Sequence, residues 1–100
     1  MLFRSDISTL DEGLACERMG VDILSTTLSG YTQYSPLKNN EPDFELLENL
    51  VKKTSKPVVL EGRIWKPEEV TKAFEIGAHC VVIGSAITRP QLITKRFIQR

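Results

Sequence analysis

Four times along the chain a short apolar or β-branched run is followed by a segment with helical spacing, and that alternation leaves few folds open. The runs are residues 2–5, which end at Asp6, then 21–27, 57–61 and 80–83. The first helix is expected to start at Thr9 as N-cap with Glu12 three residues on, a capping-box spacing. Its apolar stripe is Leu10, Leu14, Ala15 and Met19, and Gly20 ends it. A second helix opens near Pro42 and carries Phe44, Leu47, Leu50 and Val51. The third is entered at Pro67, with Glu68 and Glu69 in its first turn, Val70, Ala73 and Phe74 on its apolar side, and Gly77 at its stop. The fourth is entered near Pro90 and bears Leu92, Ile93, Phe97 and Ile98. The polar stretch from Leu28 to Asn40 is the longest expected loop. The third and fourth strands are continuous apolar runs, as in a parallel sheet covered on both faces.

Two architectures accommodate four β–α units, a small open doubly wound sheet and half of a (β/α)8 barrel. Asp6, Thr26, Thr27, Glu61 and Gly84 all fall at the C-terminal ends of strands, where barrel active sites are built. That placement favours the α/β half-barrel, of the TIM-barrel class. One hundred residues make one domain at most. With 41% apolar and 26% charged residues and no net charge, nothing points to nucleic acid or to a membrane surface as a partner. Lys95, Arg96 and Arg100 read as a solvated face that complements the last helix dipole. Cys16 and Cys80 are expected to be buried free thiols of a reducing compartment. No run approaches a membrane span, and residues 1–4 are too short for a signal peptide, so a cytoplasmic protein is expected.

The stretch G-S-A-I-T-R-P, residues 84–90, breaks a strand at Gly-Ser and enters a helix, a build that aims backbone N–H groups at one point with Arg89 close by. One unit earlier, L-E-G-R at residues 60–63 presents a carboxylate at a strand end. An acid beside an anion seat suggests proton chemistry on a phosphorylated small molecule. Each residue also has a plainer reading. Glu61 serves as a salt-bridged strand terminus, the glycines as tight turns, Arg89 as a helix-start partner, Arg63 as a solvated loop residue and Tyr31 as a surface tyrosine. His79 precedes its strand on the side away from the site and reads as structural. No cluster has metal-ligand spacing.

Together with S-T-T-L-S-G-Y-T at residues 25–32 and D-E-G-L-A-C-E-R-M-G-V-D at 11–22, these motifs resemble the N-acetylmannosamine-6-phosphate 2-epimerases of bacterial sialic-acid catabolism. The likeness runs in order over nearly the whole chain. It implies a (β/α)8 barrel about twice this length, of which residues 1–100 are the C-terminal half, strands five to eight. It further implies that the family's catalytic lysine, on an early strand, is not in this chain. The isolated chain is therefore expected to be inactive, and to form a homo-oligomer or pair with a missing N-terminal half. L-F-R-S-D at residues 2–6 departs from a family pattern close to L-M-A-D, and Arg4 there suggests that Met1 opens a truncated frame. Trp65 and Lys66 are also less typical. By the resemblance the reaction converts N-acetylmannosamine 6-phosphate to N-acetylglucosamine 6-phosphate by proton transfer at C2, and needs neither metal nor redox cofactor. Glu61 would be the acid–base carboxylate, a role that suits a strand-end acid shielded by loops. Gly62, Gly84 and Ser85 would offer amides to the phosphate, and Arg89 a charge. Arg63 and Tyr31 would line the substrate, and Asp6 and Thr27 would meet sugar hydroxyls. The alternatives are another phosphosugar barrel enzyme fragment and a non-catalytic phosphate-binding remnant.

Overall fold

Four strands lie side by side in the computed structural model, which describes residues 1–98. They are β1 (Arg4–Asp6), β2 (Ile23–Ser25), β5 (Val58–Glu61) and β6 (Cys80–Val82), all parallel and ordered β1-β2-β5-β6. The order never reverses. A doubly wound sheet changes direction at a switch point, whereas a barrel adds each strand beside the last, so this sheet is half of a (β/α)8 barrel.

The register decides which side chains share a face. Asp6 pairs with Ser25, Ser25 with Val59, and Val59 with Cys80. By strand alternation Arg4, Asp6, Ser25, Val59, Glu61, Cys80 and Val82 then point one way, toward what would be the barrel lumen. Leu24, Val58 and Leu60 point the other way, into a core with Leu46, Leu47, Leu50 and Ala73. Those four belong to α2 (Phe44–Lys53) and α3 (Pro67–Ile76), which with α1 (Leu10–Arg18) cover that one face.

The helix starts follow local chemistry. Thr9 caps α1, its Oγ1 accepting from Glu12 N at 3.2 Å. Glu12 reaches one residue further back than a capping box requires, accepting from Ser8 N at 2.8 Å and Ser8 Oγ at 2.6 Å. Asp43 caps α2 through Leu46 N, so Pro42 lies before the helix and not in its first turn. Pro67 does open α3, with Glu69 accepting from Lys66 N at 3.0 Å, and Gly77 closes it at φ 124°.

Several expectations are corrected. The long loop contains a small antiparallel hairpin, β3 (Tyr31–Thr32) with β4 (Ser35–Pro36), because β-prone Tyr31 and Thr32 follow a glycine at φ 87°. Met19 is 77% exposed, and the buried residue of α1 is Gly13, over which Leu50 packs. β6 is an edge strand whose lumen face is uncovered, so Cys80 is exposed rather than buried, and Cys16 is half-buried with its Sγ 3.1 Å from Ser5 Oγ. For the same reason the fourth run is not covered on both faces. After the short α4 (Ser85–Thr88), the last helix α5 (Pro90–Ile98) buries no residue, and Phe97 and Ile98 are exposed, as is Phe74 on α3. Arg100 lies outside the described residues. No described helix is long and apolar enough to cross a membrane.

Candidate active site

Glu61 is the last residue of β5, and its main chain is held from both sides by one hydroxyl. Thr26 Oγ1 accepts from Glu61 N at 3.1 Å and donates to Glu61 O at 3.2 Å. Thr26 is buried just beyond β2, where Thr26 N also donates to Val59 O at 3.1 Å. The hydroxyl thus extends the β2–β5 pairing past the last backbone rung and fixes where the carboxylate leaves the sheet.

On the lumen face the Glu61 carboxylate meets Arg4. The Arg4 guanidinium ion-pairs with Glu61 and with Asp6 (Nε to Oδ1, 2.9 Å), and its Nη2 donates to Thr27 Oγ1 at 3.0 Å. Thr27 Oγ1 in turn lies 3.1 Å from Asp6 Oδ1 and 2.7 Å from Ser25 Oγ. Desolvation opposes the Arg4 charge, but the hydrogen bonds and charges of Asp6 and Glu61 outweigh it and hold its pKa above the usual value. Asp6, Thr27 and Glu61, expected separately at strand ends, are therefore one connected polar group. Arg4 joins them, a role that its departure from the family pattern does not announce. Its position two residues before Asp6 in a strand was the available signal, since i and i+2 share a face.

Beyond Glu61 the backbone turns through two left-handed residues, Gly62 at φ 112° and Arg63 at φ 57°. Arg63 Nε donates to Glu41 O and Nη1 to Ser29 O, each at 2.8 Å, and the guanidinium carbon lies 5.5 Å from the centre of the Tyr31 ring. Across the cleft, β6 ends and the chain passes Gly84 and Ser85 into α4. Gly84 has φ −112°, and a Cβ there would meet no atom within 4 Å. Its ψ of −96° lies outside the regions that L side chains favour, so the backbone suits glycine here, while no packing within the described residues excludes a side chain. The first-turn amides after it point outward from a helix start.

Glu61, Gly62, Arg63, Tyr31, Gly84 and Ser85 share one cleft of about 180 Å³. A larger hollow of about 450 Å³ lies under the hairpin, lined by Ser29, Pro36, Asp43 and Lys72 among others. It reaches none of Glu61, Gly84 and Ser85, so the smaller cleft is the one that gathers the residues singled out at the strand ends. Arg89 is exposed at the end of α4 and does not line that cleft. His79 is exposed at the opposite end of β6, its N–H donating to Val58 O. Arg96 is exposed, as a solvated face requires, and it also donates from Nη1 to Trp65 O at 2.9 Å and from Nη2 to Ala86 O at 2.8 Å. It ties α5 to Trp65 and to Ala86 of α4, both of which line the cleft, and the Trp65 indole N–H is buried without a hydrogen-bond partner among the described residues.

A carboxylate, a left-handed turn and an open Gly-Ser bend around one small cleft can exchange a proton with a ligand held by its own anionic group. Comparison with known proteins places the chain in a family. The family model described as "Putative N-acetylmannosamine-6-phosphate epimerase" matches residues 1–100. Two proteins described as "Putative N-acetylmannosamine-6-phosphate 2-epimerase" are similar to the chain. The one from Caldanaerobacter subterraneus is 55% identical over 98 residues, which are 98% of this chain and 41% of the relative. The one from Clostridium perfringens strain 13 is 59% identical over 96 residues, 96% of this chain and 43% of the relative. The solved structure of the N-acetylmannosamine-6-phosphate 2-epimerase from Clostridium perfringens superposes with a TM-score of 0.90 at 59% identity, over 96% of this chain and 42% of that one. Wild-type GGGPS from Thermoplasma volcanium, 23% identical with a TM-score of 0.59 over 80% of this chain and 30% of its own, shares the fold alone. The chain thus spans about two-fifths of the length of the relatives it matches. A family match along every residue, with identities above half, makes this chain a member of the N-acetylmannosamine-6-phosphate 2-epimerase family.

Proposed function

We propose that residues 1–100 are the C-terminal half of an epimerase domain and supply the acid–base carboxylate and the phosphate grip for inverting C2 of N-acetylmannosamine 6-phosphate. In the open-chain sugar C2 lies next to an aldehyde, so its proton is removable once charge on the resulting enolate is stabilised. Glu61 exchanges a proton on one side of C2. The lysine that the family resemblance implies for the other side belongs to early strands. Gly62, Gly84 and Ser85 offer backbone amides to the phosphate, with Arg89 adding charge from outside the cleft, and Asp6 and Thr27 meet sugar hydroxyls through the network that Arg4 organises.

The observation that carries this reading is Glu61 facing, within one cleft, a Gly84–Ser85 bend whose glycine no packing requires. The uncovered lumen face accounts for the expected partners, either a second copy of the chain or the remaining β–α units. The free thiols of Cys16 and Cys80 suit the cytoplasm.

Calorimetric titration with N-acetylglucosamine 6-phosphate tests the assignment. The chain should bind it. Glu61→Gln should retain affinity within about threefold, because the amide keeps the shape while removing the proton carrier. Gly84→Trp should lose at least about tenfold by filling the open seat. Turnover at enzymatic rate by the 100-residue chain would show that a lysine from other strands is not needed. Unchanged binding in Gly84→Trp would remove the phosphate seat from Gly84.

A further inference from the structure

We propose that Arg63 is a positioning residue that staples the β3–β4 hairpin to the end of β5 and so fixes Tyr31 as the wall for the sugar end of the ligand. The proposal rests on the reading of the Glu61 cleft as a sugar-phosphate site. Arg63 is the one non-glycine residue with positive φ among those described. A left-handed residue of this kind is uncommon and persists where surrounding contacts fix it. Here that backbone turns the side chain back over the hairpin. Its Nη1 bonds the carbonyl of Ser29, which enters the hairpin, and its Nε bonds the carbonyl of Glu41, which leaves it. Two nitrogens of one rigid planar group thus close the base of the loop, whereas a lysine would have to serve both carbonyls from a single nitrogen on a flexible stem. The exposed face of the guanidinium then carries the Tyr31 ring at 5.5 Å, a cation–π contact. Gly30 is shaped to this. It has φ 87°, and a Cβ there would stand 2.7 Å from Arg63 Nη1. The glycine of S-G-Y and the arginine of E-G-R are therefore two halves of one joint, and the joint divides the Glu61 cleft from the larger hollow under the hairpin, since Arg63 lines both.

The test compares two probes, N-acetylglucosamine 6-phosphate and inorganic phosphate, on the chain and on Arg63→Ala, Arg63→Lys, Tyr31→Ala, Gly30→Ala and the Arg63→Ala/Tyr31→Ala double variant. Each single change should weaken the sugar phosphate about tenfold, and inorganic phosphate by no more than about twofold. The double variant should be no weaker than the worse single one, because both remove the same wall. Amide exchange should quicken at Gly30 and Tyr31 and stay slow at Leu24 and Leu60, which shows that the sheet is intact. Equal loss of both probes, additive losses, or full rescue by lysine would each overturn the proposal while leaving the phosphate seat standing. If the unaltered chain binds neither probe, the site reading falls and this inference falls with it.

Discussion

Thr26 shows how much a single buried hydroxyl controls at the strand ends. Its Oγ1 serves both the N–H and the C=O of Glu61, so a valine of similar shape leaves both of those groups without their partner. Thr26→Val should lower stability by about 1–3 kcal/mol in urea unfolding, the cost of stranding buried polar groups, whereas Thr26→Ser should stay within about 1 kcal/mol. A valine variant as stable as the parent would mean that water replaces the hydroxyl. The residues that sequence placed best, Glu61 and Gly84, are those whose position is fixed by where a strand stops. Arg4 and Arg63 were harder to read for opposite reasons. The long side chain of Arg4 acts two residues beyond its own position, and the direction of Arg63 depends on a left-handed backbone that no composition or spacing announces. Arg96 is solvated as its basic cluster suggests, but the two carbonyls it also reaches, of Trp65 and Ala86, are set by tertiary packing that spacing does not announce.

The first helix is the element whose ends were clearest, and it carries two tests. Glu12 accepts from the Ser8 hydroxyl and backbone N–H, and those bonds, against a smaller desolvation cost, hold its carboxyl below the usual value of 4.5. A depressed folded-state value contributes stability that is present above the unfolded value and is lost as pH falls through the folded one. The melting temperature should therefore fall more steeply below pH 4.5 in the parent than in Glu12→Gln, with the two curves parallel above it. Equal slopes across the acid range would detach this bond from stability. Further along, Gly13 lets α1 approach α2 so closely that a Cβ would stand 2.6 Å from Leu50 Cδ2. Gly13→Val should cost about 1–3 kcal/mol by overpacking, partly recovered by Leu50→Ala in the double variant, as denaturant midpoints would show. The apolar stripe predicted for α1 missed this contact because a glycine has no side chain to count. The hairpin escaped notice for a related reason: two-residue strands are too short for alternation to show.

At the scale of the whole molecule, chain-ordered parallel strands leave a half-barrel with two open edges, β1 and β6, and one uncovered face. Edges and faces of this kind pair with other chains unless something blocks them. What blocks this face here is polar. Arg4, Asp6, Ser25, Thr27 and Glu61 form a satisfied network from β1 to the end of β5, so an approaching partner meets polar groups there. Toward β6 it meets exposed Cys80 and half-buried Val82, while Val59 is buried. Cys80 stands on that side, exposed on the lumen face of the edge strand, while Cys16 is half-buried against Ser5 on the helix side. The two thiols therefore report on opposite faces of one sheet. In dilute solution iodoacetamide should modify Cys80 faster than Cys16, read by mass spectrometry at fixed pH. If copies of the chain cover the lumen face, the Cys80 rate should fall several-fold as chain concentration rises through the range where size-exclusion elution shifts to a dimer, while the Cys16 rate stays constant. A dimer that forms with no protection of Cys80 would place the contact on the helices or on an edge instead, and would leave the lumen face for the β–α units that complete the barrel in the family.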